Sequence, residues 1–430
     1  MASDAASFFE AFFHELEQRG VPYVILHSYQ EMPERIPGDI DYAVPHVDLP
    51  KLRKIQIELA RRHGWALVQT IQHGVFAFFG VLVNSQNPTE NLKLDACSSY
   101  ARACRFLVPE SVLLAKRIPH RGFYIPAPAS EFIYVLAKLY DAKNKSPAQY
   151  LPRLKELWLK EPPTAQKYFN DLFGDTGRNL AEWFERPAEE WSRLRAVMLA
   201  RNWFGPVLML REGGRIVKRV LKPTGFCLAI LGSDDAGKST LVARLRALLA
   251  PCFRYQKVLH FGPRVFQEPK QGIVADPHGR APRNILASWL KVFYYFAEHW
   301  AGWLSVVQHG RICSMLVIFD RSFDDLLVDQ RRYRLRGTSV LVRILRRFLP
   351  KADRTFVLSA PAQLLHQRKS ELPIEELERQ RATLCQLAAS DPRYVLVSTE
   401  ASVDEVARVV CRHVINFLAE RERKRCTKLP

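Results

Sequence analysis

A glycine-rich stretch near the middle of the chain has the residue types and spacing of a phosphate-binding loop. Residues 232–240 read GSDDAGKST, which fits G-x-x-x-x-G-K-[ST] at every defined position. The glycines let the backbone curl so that its N–H groups and the next helix N-terminus face a phosphate chain. The sequence therefore predicts a nucleoside triphosphate site in which Lys238 reaches the β and γ phosphates and Ser239 ligates Mg²⁺.

The residues on either side of this loop predict the elements that must position it. Residues 226–231 (FCLAIL) form a short apolar run typical of a buried parallel strand, and residues 241–249 have helical periodicity. Strand, loop and helix follow in the required order, whereas the alternative is a glycine-rich turn with no ligand. Nine residues are expected to line the site: Gly232, Ser233, Asp234, Asp235, Ala236, Gly237, Lys238, Ser239 and Thr240.

A second apolar run, residues 315–319 (MLVIF), ends in Asp320 and Arg321. Ligands collect at the carboxyl ends of strands in an open parallel sheet. We therefore expect Asp320 to hold Mg²⁺ through water or to orient the attacking group, and Arg321 to bind a phosphate. The alternative is that Asp320 caps the following helix.

The second half of the chain resembles the thymidylate kinase-like P-loop kinases. The resemblance rests on Asp234 inside the loop, on the Asp-Arg pair after the next core strand, and on residues 356–361 (FVLSAP), which resemble the strand leading into the lid of such kinases. It covers residues 226–420. It implies a doubly wound parallel sheet and transfer of the γ-phosphoryl group of ATP with Mg²⁺.

The resemblance also implies an arginine-rich lid that neutralises charge on the transferring group. Four basic residues stand in matching order, Arg368, Lys369, Arg379 and Arg381, and the three arginines are expected to neutralise the charge. Two positions depart from the family pattern, because Asp235 stands where these kinases usually have glycine and Ser322 replaces the usual aromatic residue. Kinase chemistry is therefore better supported than thymidylate as the acceptor.

Acidic residues in the first part of the chain form a second candidate site. One predicted strand is followed by His27 and Ser28, a second carries Asp39 and Asp41 on one face, and a third ends at Asp95. Three acids brought together could hold two Mg²⁺ ions for attack on the α-phosphate of a nucleotide.

This pattern resembles the nucleotidyltransferase fold, in which a Gly-Ser turn precedes an Asp-x-Asp strand and a third Asp completes the metal site. Ser28 and the three acids match, over residues 15–145, but His27 replaces the glycine that lets the backbone close on the triphosphate. Two other interpretations stay open. The acids are solvated at strand ends, or the domain is an inactive copy used for binding.

Length and composition indicate a globular α/β protein of several domains, since the chain has 430 residues and 48% hydrophobic content. The predicted order is a nucleotidyltransferase-like α+β domain (1–145), a helical connector (146–205), a basic linker (206–225) and a doubly wound P-loop kinase domain (226–430). Eight cysteines include no C-x-x-C pair, and the first twenty residues lack the features of a signal peptide. We therefore expect reduced thiols and a cytoplasmic protein, with the inner membrane surface as a further location.

The formal net charge of +19 implies anionic partners. We expect an anionic acceptor that is a nucleotide, a sugar or a glycan-linked group, held by arginines at 331, 332 and 334. No recognised nucleic-acid module accompanies the basic clusters, which argues against nucleic acid. Two alternative functions are a nucleotidyltransferase that uses Asp39, Asp41 and Asp95, and a nucleotide-gated binding protein.

Residues 289–308 are as long as a membrane span but are interrupted by Lys291, Glu298 and His299. We favour a core helix, with peripheral membrane contact and a true span as the alternatives. Oligomeric state is left open, with a dimer among the options.

Overall fold

The computed structural model describes residues 4–102, 104–141, 147–176, 178–201, 205–233, 236–261, 281–368 and 372–427. Their contacts divide the chain into two compact units, one comprising residues 1–221 with 418–430 and the other residues 222–417. The sequence-based boundaries at 145 and 205 both lie inside the first unit. Each unit builds its own sheet and its own hydrophobic core.

The first unit combines ten helices and nine strands in the described residues. The helices are α1 (Asp4–Gln18), α2 (Leu49–Arg62), α3 (Glu110–Leu113), α4 (Pro128–Asp141), α5 (Leu151–Lys160), α6 (Pro162–Phe173), α7 (Leu180–Phe184), α8 (Ala188–Trp191), α9 (Leu194–Arg201) and α10 (Pro206–Leu221). The strands are β1 (Val24–Ile25), β2 (Ile40–Ala43), β3 (Trp65–Gly74), β4 (Ala77–Asn84), β5 (Asn91–Cys97), β6 (Tyr100–Arg102), β7 (Arg105–Val108), β8 (Arg117–His120) and β9 (Phe123–Pro126). A 3₁₀ turn spans Pro147–Gln149.

The main sheet of the first unit has the order β1-β2-β5-β4-β3, and only β2 and β5 run parallel within it. That parallel pair sets Asp41 directly opposite Asp95. Because directly paired residues of neighbouring strands point to the same side of a sheet, the two carboxylates share a face. Aromatic residues of α1 fill the core of this sheet: Phe8, Phe9, Phe12 and Phe13.

The second unit contains α11 (Lys238–Leu249), α12 (Ile285–Gly302), α13 (Gln308–Ile312), α14 (Asp325–Val328), α15 (Ser339–Leu345), α16 (Ala362–Arg368), α17 (Ile374–Ala389) and most of α18 (Val403–Cys426). Its strands are β10 (Phe226–Leu231), β11 (Tyr255–His260), β12 (Met315–Asp320), β13 (Arg354–Ser359) and β14 (Tyr394–Ser398). A 3₁₀ turn spans Ala250–Cys252, and a π-helical turn spans Trp303–Val307.

The sheet of the second unit is wholly parallel, with the order β11-β12-β10-β13-β14. All six residues of β10 are buried, as the apolar run predicts for a central parallel strand. The chain adds strands on one side of β10 and then on the other, so the switch point lies at the carboxyl end of β10. The predicted doubly wound kinase fold is thereby confirmed.

Helix α12 and the π turn account for most of the aromatic segment at 289–308. The helix buries Val292 and His299, while one stripe of apolar side chains remains exposed. That stripe consists of Leu286, Trp289, Leu290 and Phe293. Within the described residues, no helix combines the length and apolar content needed to cross a bilayer.

Candidate active site

The loop that follows β10 requires glycine at two positions, for two different reasons. A Cβ on Gly232 would lie 3.0 Å from the Cβ of Leu358 and 3.3 Å from its carbonyl oxygen, because β13 passes close by. Gly237 has φ of 76°, in the left-handed region, with open space around it. Asp234 and Asp235, which the sequence places in this loop, lie outside the described residues.

The ammonium group of Lys238 is enclosed by the loop that precedes it. Its Nζ donates to the carbonyl oxygens of Gly232 at 2.8 Å and Ser233 at 2.5 Å, and the side chain is buried. Ser239 and Thr240 follow in the first turn of α11, where both are exposed. The loop thus places one buried cation and two accessible hydroxyl groups at a helix N-terminus, which is the arrangement that binds phosphates.

Asp320 ends β12, next to β10, where it pairs with Ile230. Its Oδ2 lies 3.0 Å from Nδ1 of His260, and its buried Oδ1 has no hydrogen-bond partner among the described residues. An unpaired buried carboxylate oxygen is costly, and a hard cation is a suitable partner for it. Asp320 and Ser239 are therefore the residues that would hold Mg²⁺.

The described residues include no cluster of three His, Cys, Asp or Glu side chains arranged around a common metal position. Mg²⁺ differs from zinc in this respect, since it is commonly bound by one or two protein groups together with phosphate oxygens and water. A single carboxylate and a hydroxyl beside a phosphate-binding loop therefore fit a metal that arrives with the nucleotide.

Arg321 adopts a left-handed backbone conformation with φ of 73° and is buried. Its guanidinium donates to Asp325 at 2.7 Å, and the same carboxylate oxygen accepts a hydrogen bond from the hydroxyl of Tyr333. Burial opposes the charge on Arg321, but Asp325 and Tyr333 offset it, so the pKa of the guanidinium is raised. A non-glycine residue held in this strained conformation is common at functional sites.

The three predicted lid arginines reach different parts of the second unit. Arg368 donates to the carbonyl of Thr399 at 2.9 Å, in the loop after β14. Lys369, the other basic residue of the predicted lid, lies outside the described residues. Arg379 donates to the carbonyl of Val328 at 2.8 Å, so it lies against α14, which follows Asp320. Arg381 is exposed and two residues further along α17, and positions two apart on a helix do not face the same way. The helix therefore does not direct Arg379 and Arg381 at one common point.

Sequence reasoning missed the contributions of His260, Asp325 and Tyr333. The available signal for His260 is weak: residues 255–260 (YQKVLH) end in a polar residue just as residues 315–320 do, but they have no regular alternation. Only the pairing of β11 with β12 brings these two strand ends together. Asp325 begins α14, a helix of only four residues, and Tyr333 lies in a turn, so neither segment is long enough for periodicity to give a guide.

Each of the three acids predicted to bind metal in the first unit is paired with a basic side chain. Asp39 lies 3.7 Å from the Lys93 ammonium, Asp41 lies 2.8 Å from that of Lys138, and Asp95 lies 2.7 Å from the His73 imidazole. Lys138 comes from α4 and His73 from β3. Lys138 and His73 thus engage oxygens of Asp41 and Asp95 that a pair of metal ions would need, whereas the contact of Asp39 is longer than a hydrogen bond.

Asp41 has the densest set of partners. His27 Nε2 lies 2.9 Å from one of its oxygens, and the Tyr134 hydroxyl donates to the other at 3.1 Å. Burial alone would raise the pKa of Asp41, but His27 and Lys138 together hold it well below its usual range. Asp39 differs, because burial raises its pKa more than Lys93 lowers it. Ser28, in a left-handed conformation, places its Oγ 2.6 Å from His27 Nδ1.

Comparison with known proteins identifies the kinase part. No protein-family model matches the chain. The chain is 30% identical over 200 residues to a probable thymidylate kinase of Methanoculleus marisnigri, a match that covers 44% of this chain and 93% of that relative. Among solved structures, thymidylate kinase from Candida albicans is 16% identical, covering 46% of this chain and 93% of its own, with a TM-score of 0.35. The enzyme from Ehrlichia chaffeensis is 15% identical, covering 44% of this chain and 98% of its own, with a TM-score of 0.31.

The relative from Methanoculleus marisnigri is matched over nearly its whole length. The chain therefore belongs, through its P-loop part, to the thymidylate kinase family of phosphotransferases.

Proposed function

We propose that this protein is a kinase that transfers the γ-phosphoryl group of ATP to an anionic acceptor. ATP and Mg²⁺ are the cofactors of the thymidylate kinase family. The observation that carries the proposal is the arrangement at the carboxyl end of β10 and β12. There the loop encloses the Lys238 ammonium, and Asp320, at the end of the adjoining strand, keeps a buried oxygen without a partner among the described residues. A cation donor and a carboxylate that could hold the metal are two of the groups on which phosphoryl transfer depends.

Each residue of this site has a role that its position supports. Lys238 stabilises charge on the transferring phosphoryl group, and Ser239 with Asp320 holds Mg²⁺ against the phosphates. When bound, Mg²⁺ would neutralise negative charge on the phosphate chain. Arg321 is held by Asp325 just after the end of β12. Arg379, on α17, contacts the carbonyl of Val328 in the segment that follows Arg321. We propose that both neutralise charge that develops during transfer.

The arginine-rich segment after α14 supports an anionic acceptor. Residues 331–347 contain seven arginines and no acid. Arg331 is exposed. Burial raises the pKa of Glu376 on α17, but hydrogen bonds from Arg379 and Gln380, with smaller contributions from the charges of Arg379 and Arg331, hold it below its usual value. Arg334 instead donates its Nε to the carbonyl of Ala281 and serves the local fold. Arg331 is therefore the residue we assign to acceptor binding, where a guanidinium suits phosphate or carboxylate.

The archaeal relative is a probable thymidylate kinase, so a nucleotide is the first acceptor to test. A sugar phosphate or a glycan-linked anion is the second class. Turnover of ATP should be measured with thymidine monophosphate, other nucleoside monophosphates and sugar phosphates in parallel. Arg331→Ala should raise the acceptor KM and leave ATP affinity unchanged, because loss of uniform binding acts on KM. Equal damage to ATP binding would place Arg331 at the nucleotide.

The kinase assignment itself is tested at Lys238. Lys238→Ala should lower kcat by about a hundredfold or more, the loss typical of one preorganised donor. Lys257→Ala, which removes an exposed lysine from the same unit, is the matched control and should leave kcat unchanged. Undiminished turnover in Lys238→Ala would contradict the assignment. ATP binding with transfer to no acceptor would indicate the nucleotide-gated binding protein instead.

For the first unit we propose a nucleotidyltransferase-like module that does not perform two-metal transfer. The support is the pairing of Asp41 with Lys138 and of Asp95 with His73. The test is pyrophosphate release from nucleoside triphosphates by the full chain carrying Lys238→Ala. We expect none. Metal-dependent release that disappears on adding Asp41→Asn would establish the transferase alternative.

We also propose a cytoplasmic location with contact at the inner membrane surface. The exposed stripe of α12 supports such contact. Lys291 lies on the same helix, and its ammonium is 4.6 Å from the ring centres of both Tyr294 and Tyr295, so these rings hold its charge. Fractionation of cells should recover the protein partly in the cytoplasmic fraction and partly on membranes, from which salt should release it. Recovery in neither the cytoplasmic fraction nor the salt-releasable membrane fraction would contradict the location.

A further inference from the structure

Helix α10 is attached to the first unit by its polar face. The positions that are half-buried recur at the spacing of one helical stripe: Leu208, Glu212, Arg215 and Arg219. Glu212 accepts the backbone N–H of Val75 at 3.0 Å, and Arg215 donates to the carbonyl of Gln72 at 2.9 Å. Glu212 and Arg215 also pair with each other at 2.6 Å. Charged side chains therefore hold this helix against the end of β3.

The opposite face of α10 is apolar and exposed. Its large side chains are Val207, Met209, Leu210, Ile216, Val217, Val220 and Leu221, with exposures from 43% to 78%. None of the residues in α10 is fully buried. A surface helix ordinarily turns its apolar stripe toward the core and its charges toward water. This helix is oriented the other way, which leaves an apolar strip about 24 Å long facing outward.

Basic residues border this strip. Arg211 and Lys218 are exposed, and at 100° per residue both fall at the edge of the apolar face, beside Val207. Glu212 is the only acid in the helix, and Arg215 neutralises it. Long basic side chains can extend from such an edge while their methylene groups stay with the apolar surface. The exposed face thus combines an apolar centre with a positive border.

We propose that α10 is an interfacial helix that inserts its apolar strip into the surface of a bilayer with anionic headgroups. The apolar centre matches the acyl region, and the border formed by Arg211 and Lys218 matches the negative headgroups. Because Glu212 and Arg215 anchor the helix on β3, the first unit would lie flat against the membrane at this face. The proposal concerns membrane attachment and holds whichever acceptor the kinase uses.

The test is co-sedimentation of the full-length protein with vesicles of phosphatidylcholine alone or of phosphatidylcholine mixed with phosphatidylglycerol. We expect binding to the mixed vesicles, weak binding to the neutral ones, and release by salt. Leu210→Glu with Val217→Glu should lower the vesicle partition coefficient roughly tenfold or more, because the two substitutions remove apolar contact with the bilayer. Arg211→Gln with Lys218→Gln should lower it by about fivefold for each charge removed.

Matched controls come from other exposed positions of the first unit. Val47→Glu with Leu159→Glu alters side chains of similar exposure, 72% and 60% against 78% and 57% for Leu210 and Val217. Lys167→Gln with Arg193→Gln, at two exposed positions, removes the same charge elsewhere. Both controls should bind vesicles like the parent.

Two outcomes would overturn the proposal. One is equal loss of vesicle binding in the α10 variants and their controls. The other is failure of the parent protein to bind the mixed vesicles, and in that case light scattering should be used to ask whether the parent is a dimer that Leu210→Glu with Val217→Glu converts to a monomer. That result would assign the apolar strip to a second copy of the chain. Thermal unfolding should be unchanged in every variant, since all these positions are exposed.

Discussion

The imidazole of His260 and the carboxylate of Asp320 face each other at the last paired position of β11 and β12, with Nδ1 3.0 Å from Oδ2. Strand register sets them side by side, so the backbone holds the contact as well as the side-chain rotamers. His260 is half exposed, whereas Asp320 is buried. The imidazole therefore fixes one carboxylate oxygen and leaves Oδ1 to other ligands.

His260 should tune how tightly the site holds Mg²⁺. We expect His260→Ala to raise the Mg²⁺ concentration needed for half-maximal turnover about tenfold or more, as loss of a group that orients a metal ligand does. At saturating Mg²⁺ the kcat should return to near the parent value. His260→Asn keeps a polar atom near Asp320 and should restore part of the affinity. Identical Mg²⁺ titrations for the parent and His260→Ala would contradict this role.

The two loop glycines should tolerate different substitutions. At Gly237 the obstacle is backbone conformation, and asparagine adopts the left-handed region more readily than alanine. At Gly232 the obstacle is Leu358, 3.0 Å from any added Cβ, so the larger residue is the worse one. We therefore expect thermal stability to rank Asn above Ala at 237 and Ala above Asn at 232, measured without nucleotide. The same ranking at both positions would refute the distinction.

Two neighbouring acids in the first unit should respond to pH with opposite signs. The folded-state pKa of Asp41 is lowered, so its stabilisation is present above the ordinary carboxyl pKa and is lost as the pH falls. Asp41→Asn should therefore lower the free energy of unfolding by about 2 kcal/mol at neutral pH, with the difference shrinking at about pH 3.

Asp39 is the internal control for that measurement. Its folded-state pKa is raised, so ionisation at neutral pH works against folding and protonation favours it. Asp39→Asn should be neutral or slightly stabilising at neutral pH. Its side chain is 48% exposed, so solvent screening keeps the effect small. Equal destabilisation by both substitutions, in denaturant titrations across this pH range, would show that the ion pairs do not govern the response.

Arg379 and Arg381 offer a matched pair on one helix. Arg379 contacts the carbonyl of Val328, close to the segment after Asp320, while Arg381 leaves α17 from another side. We expect Arg379→Ala to lower kcat/KM about tenfold or more and Arg381→Ala to change it little. Comparable losses in steady-state assays would mean that α17 reorients during turnover so that both arginines reach the phosphates.

The kinase sheet and its loop could be predicted because their signals are local. The apolar run at 226–231 and the glycine and lysine spacing after it need no knowledge of distant residues. The partner of Asp320 could not be predicted in the same way, since His260 is 60 residues away and meets it only through strand order. The same applies to Lys138, which reaches Asp41 from a helix 97 residues further along the chain.

The sequence predicts a basic linker over residues 206–225, whereas the structure forms helix α10 over most of this range. Gly213 and Gly214 stand side by side within it, and each glycine disfavours a helix by about 1 kcal/mol. The contacts of Glu212 and Arg215 with β3 are tertiary, and no local pattern reveals them. Tertiary contacts thus accompany a helix that intrinsic propensity alone would not favour.

The hydrogen bonds of Lys238 bear on the affinity for a nucleotide. With its ammonium bonded to the carbonyls of Gly232 and Ser233, the lysine already has acceptors before any phosphate arrives. Phosphate oxygens that take over one of these donors replace a carbonyl contact, so the net contribution of Lys238 to affinity is smaller than the full strength of its phosphate contacts. The carbonyls of Gly232 and Ser233 also hold the ammonium in place, so the cation that meets a phosphate chain is already oriented by the loop itself.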